Sequence, residues 1–373
     1  MNLKRHGLIA GIAITATLAL AACGSDNETP STPGAAGSSG AAGGGSIACA
    51  TGSLTSQGSS AQKNAMDEWI KAYQQACSGA KIDYQGTGSG AGITAFTGGT
   101  ADFAGSDSAL KDGDETTKST ARCGGSPALN LPMVTGPIAI AYNLDGVKDL
   151  QLKPATLAKI FNGSVKTWDD AAIKADNPSA TLPSTPILAV HRADSSGTTE
   201  NFTDYLTKTA ASDWTFGKDK VWKAPGGQGE QKSDGVAAAL KKSAGSIGYV
   251  EWSFAKTNSL ATAKVYNGAG EYTALTGEAA GKTVAGAKIT GTGDDLKLSI
   301  DYATKEAGAY PIILVTYEIV CSKGTAADKL ALVKGFLGYT ASADGQKVLD
   351  KLGYAPLPES VRAKVETSVK NLA

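Results

Sequence analysis

Pro186-Ile187-Leu188-Ala189-Val190-His191-Arg192-Ala193-Asp194-Ser195-Ser196-Gly197-Thr198-Thr199 is an apolar run that passes, without a spacer, into a polar turn suited to starting a helix. The run from Pro186 to His191 reads as a strand buried on both faces. Ser196 and its neighbours can cap a helix on which Phe202, Tyr205 and Leu206 share one face. A strand leading straight into a helix is the repeating step of α/β layering. The first residues of such a helix present free backbone N–H groups and about half a unit of positive charge, so the turn suits an anion. Arg192 leaves the strand at the same edge with a planar fork of donors, and Asp194, two residues on, can hold that guanidinium in place.

Two earlier segments repeat the design, Gly58-Ser59-Ser60 and Gly88-Ser89-Gly90. Ser59-x-x-Gln62 reads as a capping box for a helix bearing Ala65, Trp69 and Tyr73, which Gly79 ends. A strand from Lys81 to Gln85 feeds the loop Gly86 to Gly92, a short helix with Ile93 and Phe96 follows, and Ala101 to Gly105 is a brief strand that delivers Asp107. In open α/β sheets ligands sit outside the carboxyl ends of strands, where all three turns fall. Asp107 is the odd member, because a carboxylate repels an anion unless the anion brings a proton for it to accept. Phosphate does, and sulfate at neutral pH does not. Two bare charges about 4 Å apart cost roughly 4 kcal/mol at an effective dielectric near 20.

Farther along, Leu157, Ile160 and Phe161 mark a helix, and Trp168-Asp169-Asp170 opens another. Ser246 to Glu251 and Pro311 to Cys321 read as strands, and helices near Lys329 to Tyr339 and Ala343 to Lys351 close the chain. Gly268 to Gly293 is Gly-rich and poorly periodic, which predicts surface hairpins or loops.

The 373 residues, 42% of them hydrophobic, suffice for one large or two smaller cores. With 35 basic and 35 acidic residues the net charge is +0, so no general field draws the chain to nucleic acid or anionic lipid. Lys4 and Arg5 precede an apolar run from Leu8 to Leu20, which is shorter than the roughly 20 residues a bilayer core needs, and this marks residues 1–22 as an export signal. Leu20-Ala21-Ala22-Cys23 is similar to the lipobox of bacterial lipoproteins, which implies cleavage before Cys23 and a lipid on its sulfur. Residues 23–46 carry almost no large apolar side chain and read as a tether. Cys49, Cys77, Cys123 and Cys321 fit two disulfides, of three possible pairings. Nearness along the chain favours Cys77 with Cys123, leaving Cys49 with Cys321. A metal site is disfavoured, because there is no CxxC and the only histidines are His6 and His191.

The chain resembles the phosphate-binding PstS family of phosphate ABC importers. The resemblance rests on Leu54-Thr55 through Ser60, Asp83-Tyr84-Gln85-Gly86-Thr87-Gly88-Ser89-Gly90, Asp102-Phe103-Ala104-Gly105-Ser106-Asp107, Lys166 to Asp170, Arg192 to Thr198, Gly245 to Glu251 and Leu357-Pro358-Glu359-Ser360-Val361. It implies a two-lobed α/β periplasmic-binding-protein fold of type II with the ligand in the interlobe cleft. Lobe 1 then takes residues 47–141 and 310–373, and lobe 2 residues 142–309. The implied ligand set is Ser59, Ser60, Ala61, Ser89, Asp107, Arg192, Ser196, Gly197 and Thr198, with Asp194 behind Arg192. Where relatives often carry Thr-Phe, this chain has Ser60-Ala61, whose hydroxyl and Ala61 N–H still offer donors. The implied partners are inorganic phosphate, the membrane permease of the importer, and the membrane itself through the N-terminal lipid, at the outer face of the cytoplasmic membrane. Neither a cofactor nor a catalytic residue is implied.

Four other readings compete. Ser60-Ala61-Gln62-Lys63 matches the S-x-x-K of penicillin-recognising enzymes, but no K-T-G follows in a suitable strand. The Gly86 loop suggests a dinucleotide fingerprint, but its helix is too short. Sulfate, molybdate or an organic phosphate could occupy the same fold, and the protein could act mainly as a phosphate sensor or surface adhesin.

Overall fold

The computed structural model describes residues 47–373, so the export signal, Cys23 and the tether lie outside the described residues. One large sheet is built from β1 (Gly52–Gly58), β2 (Ala80–Gln85), β3 (Phe103–Ser106), β4 (Ala128–Asn143), β5 (Leu188–Arg192), β6 (Gln228–Glu230), β7 (Ser246–Glu251), β8 (Ala261–Thr262) and β9 (Ile313–Cys321). Its order is β2-β1-β3-β9-β4-β7-β5-β6, with β8 against β4. β1 runs parallel to β2 and β3, and β5 runs parallel to β6 and β7. Between these parallel ends, β9 is antiparallel to both β3 and β4, and β4 is antiparallel to β7. The crossovers of each parallel end carry helices, as parallel pairing requires.

β4 joins the two ends. Ala128 to Pro137 pair with β9, and Ile138 to Asn143 pair with β7. Every residue of β4 except Asn143 is buried, as is all of β9. One apolar cluster gathers Trp69, Phe103, Phe336 and Val365 on the β1–β3 side. Another gathers Phe161, Trp168, Phe202 and Tyr249 on the β5–β7 side. The buried indoles find carbonyls, Trp69 Nε1 that of Gly345 at 2.6 Å, Trp168 Nε1 that of Gly245 at 3.0 Å and Trp214 Nε1 that of Gly217 at 3.1 Å.

The helices that position the site are α1 (Lys63–Ala76), α2 (Ser89–Thr97), α3 (Asp114–Arg122), α4 (Gly197–Thr209) and α5 (Lys232–Lys242). α1 buries Ala65, Trp69 and Tyr73, and α4 buries Phe202, Tyr205 and Leu206, matching the spacing in the sequence. The Gly268 to Gly293 stretch contributes the expected hairpin strands at Tyr272–Thr273 and Lys288–Ile289, but between them it departs from expectation by forming a helix, Gly277–Ala285. Thr276 caps that helix by accepting the Ala279 N–H at 3.0 Å. Its buried face is Ala279, Ala280, Thr283 and Val284, too small to register as an apolar stripe. Beyond it, Asp295 accepts from the Asn130 N–H and side-chain amide at 2.8 Å each, so this segment also packs on the β4 N-terminal half.

The disulfides correct the expected pairing. Cys49 bonds Cys77, and Cys123 bonds Cys321. Cys77 lies at the end of α1, where the chain turns back toward the start of β1 just after Cys49. Cys321 ends β9 opposite Ala128, and Cys123 ends α3 five positions before Ala128. Sheet pairing, not distance along the chain, decides the partners.

Candidate functional site

The strand ends of β1, β3 and β5 bring the sequence-nominated residues together. Ser59 and Ser60 follow β1, Ser89 opens α2, Asp107 follows β3, and Arg192 ends β5 just before Ser196 caps α4. Ser59, Ser60, Ala61, Ser89, Asp107, Arg192, Ser196 and Thr198 are all at most 3% exposed. So many polar groups buried at one place require hydrogen-bond partners.

Asp107 is ringed by hydroxyls. Ser59 and Thr316 (2.8 Å) donate to Oδ1, and Ser89 donates to Oδ2 at 3.0 Å. Burial, then the neighbouring Glu251 charge, push the Asp107 carboxyl up to about 6, and the hydroxyl donors hold it from rising further. Arg192 is clamped end-on, with Nε and Nη2 donating to Asp194 at 2.7 and 2.5 Å. Burial opposes the Arg192 charge, and Asp194 more than restores it. Nη1 is turned the other way, 3.5 Å from Thr198 Oγ1 and 3.4 Å from Ser233 Oγ.

At the α4 N-terminus the Ser196 side chain accepts the Thr199 N–H at 3.2 Å. The N–H groups of Gly197 and Thr198 find no partner among the described residues. Gly197 faces the opposite wall closely, since a Cβ there would lie 2.5 Å from Asp107 Cβ and 2.7 Å from Ser89 Oγ. Only glycine lets the helix end approach Asp107 so closely. The Thr198 hydroxyl donates to Glu251.

Four of the nominated groups are engaged within the site. The Ser59 and Ser89 hydroxyls are both spent on Asp107, the Thr198 hydroxyl on Glu251, and the Ala61 N–H donates to Ser59 Oγ at 3.1 Å, so Ser89 and Thr198 keep only their backbone N–H groups for a ligand. Three participants escaped the sequence reading. Ser233 lies 2.9 Å from Ser60 Oγ, Thr316 binds Asp107, and Glu251 binds Thr198. Ser233 was detectable as another hydroxyl opening a helix after a strand, and Thr316 as a polar residue inside the apolar run Pro311 to Cys321. Glu251, at the end of β7, carried no such signal.

The arrangement offers one wall of N–H and guanidinium donors facing a carboxylate that accepts, a pocket for a small oxyanion that carries a proton. The sequence matches the PBP superfamily domain over residues 34–344. It is 43% identical to phosphate-binding protein PstS 3 of Mycobacterium tuberculosis and 42% identical to PstS 3 of Mycobacterium leprae, each alignment covering 100% of both chains. Among solved structures, a high-affinity periplasmic phosphate-binding protein bound with phosphate superposes with a TM-score of 0.68 at 21% identity, over 84% of this chain and 93% of that one. The fold is thus the two-lobed one of the periplasmic binding proteins, and the chain belongs to the PBP superfamily and, within it, to the PstS family of phosphate-binding proteins.

Proposed function

We propose that this protein captures inorganic phosphate outside the cytoplasmic membrane and delivers it to the permease of an ATP-driven importer. The observation that carries the reading is Asp107, a buried carboxylate set close against Gly197, whose N–H, like that of Thr198, has no partner among the described residues. The donors suit any oxyanion, and the carboxylate admits one that brings a proton. Phosphate is anchored by Ser60, Ser89, Arg192, Ser196, Gly197 and Thr198, with Asp107 accepting its P–O–H and Asp194 fixing Arg192. Ser59 and Ala61 shape the turn that carries Ser60. Relatives named for phosphate binding, aligned over the whole chain, support the same ligand. Sulfate and molybdate, fully ionised at neutral pH, meet Asp107 charge against charge.

The lobes divide as residues 47–141 with 310–373 against 142–309; the two apolar clusters support a division in two but move the crossing toward Pro137, since Ile138 to Ala141, Tyr310, Ile312 and Leu314 join the β5–β7 cluster and Leu296 joins the other. Cleft closure about β4 and β9 completes the pocket. Anchoring is by a lipid on Cys23, after an export signal in residues 1–22. Among the described residues no helix is long and apolar enough to cross a membrane. The role is binding without catalysis. In the serine–lysine spacing that resembles an acylating pair, Lys63 Nζ donates to Asp67 at 2.5 Å and Ser60 is engaged by Ser233. The test is calorimetric titration of the lipid-free chain, stripped of ligand by unfolding and refolding, with phosphate and then sulfate. One-to-one phosphate binding with no sulfate heat is expected. Equal binding of both removes Asp107 from its role, and binding of neither overturns the function.

A further inference from the structure

Ser60, the hydroxyl that follows β1, meets the first turn of α5 in a way the family resemblance does not describe. Its oxygen lies 2.9 Å from Ser233 Oγ and accepts the Ser233 N–H at 3.2 Å. Ser233 Oγ in turn lies 3.4 Å from Arg192 Nη1. Ser60 and Ser233 are each 1% exposed, so neither hydroxyl has bulk water as an alternative partner. Lys232, just before Ser233, holds φ at 62° and donates its N–H to Asp194 Oδ1 at 3.0 Å. A side-chain-bearing residue rarely adopts that left-handed conformation, so the turn is held in place, and the Asp194 that clamps Arg192 also fixes Ser233.

The amide and the guanidinium fix two of the directions, and the 2.9 Å contact between the hydroxyls, open to either donor, takes its direction from the cation beside Ser233. A hydroxyl has one hydrogen and two lone pairs, whereas an amide N–H and a guanidinium only donate. Ser233 Oγ accepts from Arg192, and the cation polarises the Ser233 hydrogen toward Ser60. Ser60 Oγ then accepts the amide and the hydroxyl of Ser233 together. With both lone pairs filled, its remaining capacity is its own hydrogen.

We propose that Ser233 is a positioning residue that makes Ser60 an obligate donor to the bound anion and ties that donor across the cleft to Arg192. The proposal rests on the phosphate reading and deepens it. Asp107, fed by three hydroxyls, only accepts, and the Ser60–Ser233–Arg192 chain only donates. A singly protonated phosphate, with one O–H and three bare oxygens, fits between them in a defined orientation.

The test compares phosphate titration and stopped-flow dissociation for wild type, Ser233→Ala, Ser233→Thr, Ser233→Val, Ser60→Ala and Ser60→Ala with Ser233→Ala. Ser233→Ala is expected to raise Kd about tenfold, mainly through faster dissociation. Thr and Val fill nearly the same volume and differ in the hydroxyl, so any shared folding cost cancels between them. Ser233→Val is expected to bind about tenfold more weakly than Ser233→Thr. Because Ser233 acts through Ser60, the double variant is expected to bind no more weakly than Ser60→Ala alone. Equal affinities for Thr and Val, or losses that add in full in the double variant, overturn the proposal. A wild type that fails to bind phosphate overturns the functional reading itself, and a wild type that binds tightly while Ser233→Ala and Ser233→Val match it overturns this proposal alone.

Discussion

A buried carboxylate that accepts from three hydroxyls, as Asp107 does, still has lone-pair capacity for a fourth donor. Burial and Glu251 place its titration at about 6. On the proposed reading, Asp107 above that pH is ionised, accepts a P–O–H and repels sulfate. As pH falls through 6 it takes up a proton and becomes a donor, and sulfate then meets a neutral partner. Sulfate binding is therefore expected to appear in competition titrations as pH is lowered from 8 to 5, with phosphate preference shrinking in step. Asp107→Asn should show the low-pH behaviour at every pH, its preference for phosphate falling by up to about a thousandfold if the full repulsion is removed. Selectivity that stays constant with pH and in the variant would remove the carboxylate from discrimination. Asp107, and Arg192 with Asp194, were legible because each lies in a local strand-to-helix turn. Ser233 and Thr316 carried only a local signal of being unusual, and their partners were not legible, since they reach Ser60 and Asp107 from 173 and 209 positions away. Even Ser59 was only half legible: its place was evident, but its commitment to Asp107 needed β3 alongside β1.

Elements were readable where their signals are local and unreadable where pairing makes them. α4 announces itself by its Ser196 cap, both α1 and α4 by apolar spacing, and β7 matches the expected Ser246 to Glu251, whereas the Ser59–Gln62 capping box does not close, because the Gln62 amide donates to Tyr84 at 3.0 Å and the Ser59 N–H to the Gly105 carbonyl. β4, for which the sequence predicted no element, contains Pro132, Gly136 and Pro137, residue types that disfavour a central strand. The sheet accommodates them. Pro132 lies opposite Tyr317, where the β9 register shifts, and Pro137 stands where β4 leaves β9 before joining β7 at Ile138. A residue without an N–H suits a point where ladder pairing changes hands. The disulfides were misjudged for the same reason, because partners are set by β4–β9 pairing and by the return of α1. They also differ in expected effect. Cys49–Cys77 closes 28 positions and Cys123–Cys321 closes 198. On the chain-entropy account, the longer loop restrains the unfolded chain by about 2 kcal/mol more. Paired Cys→Ser substitution should lower the urea midpoint more for Cys123 and Cys321 than for Cys49 and Cys77, and the reverse order would show that local packing outweighs loop length.

At the scale of the whole molecule, the proposed binding residues come from both of the proposed lobes, so affinity is expected to depend on how fully these close. Besides Ser60 with Ser233, the Ser108 hydroxyl donates to Glu200 at 2.8 Å, Lys220 pairs with Glu115 at 3.1 Å, and Asn64 donates to Ser253 at 2.7 Å. The Gly90 N–H donates to the Ser195 carbonyl at 3.1 Å, and a Cβ on Gly90 would lie 2.2 Å from Ser195 Oγ and 2.6 Å from Ser195 Cβ. Gly90 is in the first turn of α2, where φ is helical, so alanine there favours the helix by up to about 1 kcal/mol. Gly90→Ala thus acts as a wedge that leaves the fold sound. Rotating the Ser195 hydroxyl relieves the Oγ clash but not the Cβ one, so the lobes must stay apart. The variant is expected to melt no lower than wild type without ligand, yet to bind phosphate at least tenfold more weakly, because contacts realised only on closure supply much of the affinity. Small-angle scattering should show wild type contracting when phosphate is added and Gly90→Ala contracting less. Wild-type affinity together with full contraction in that variant would mean that the two walls bind without closing on each other.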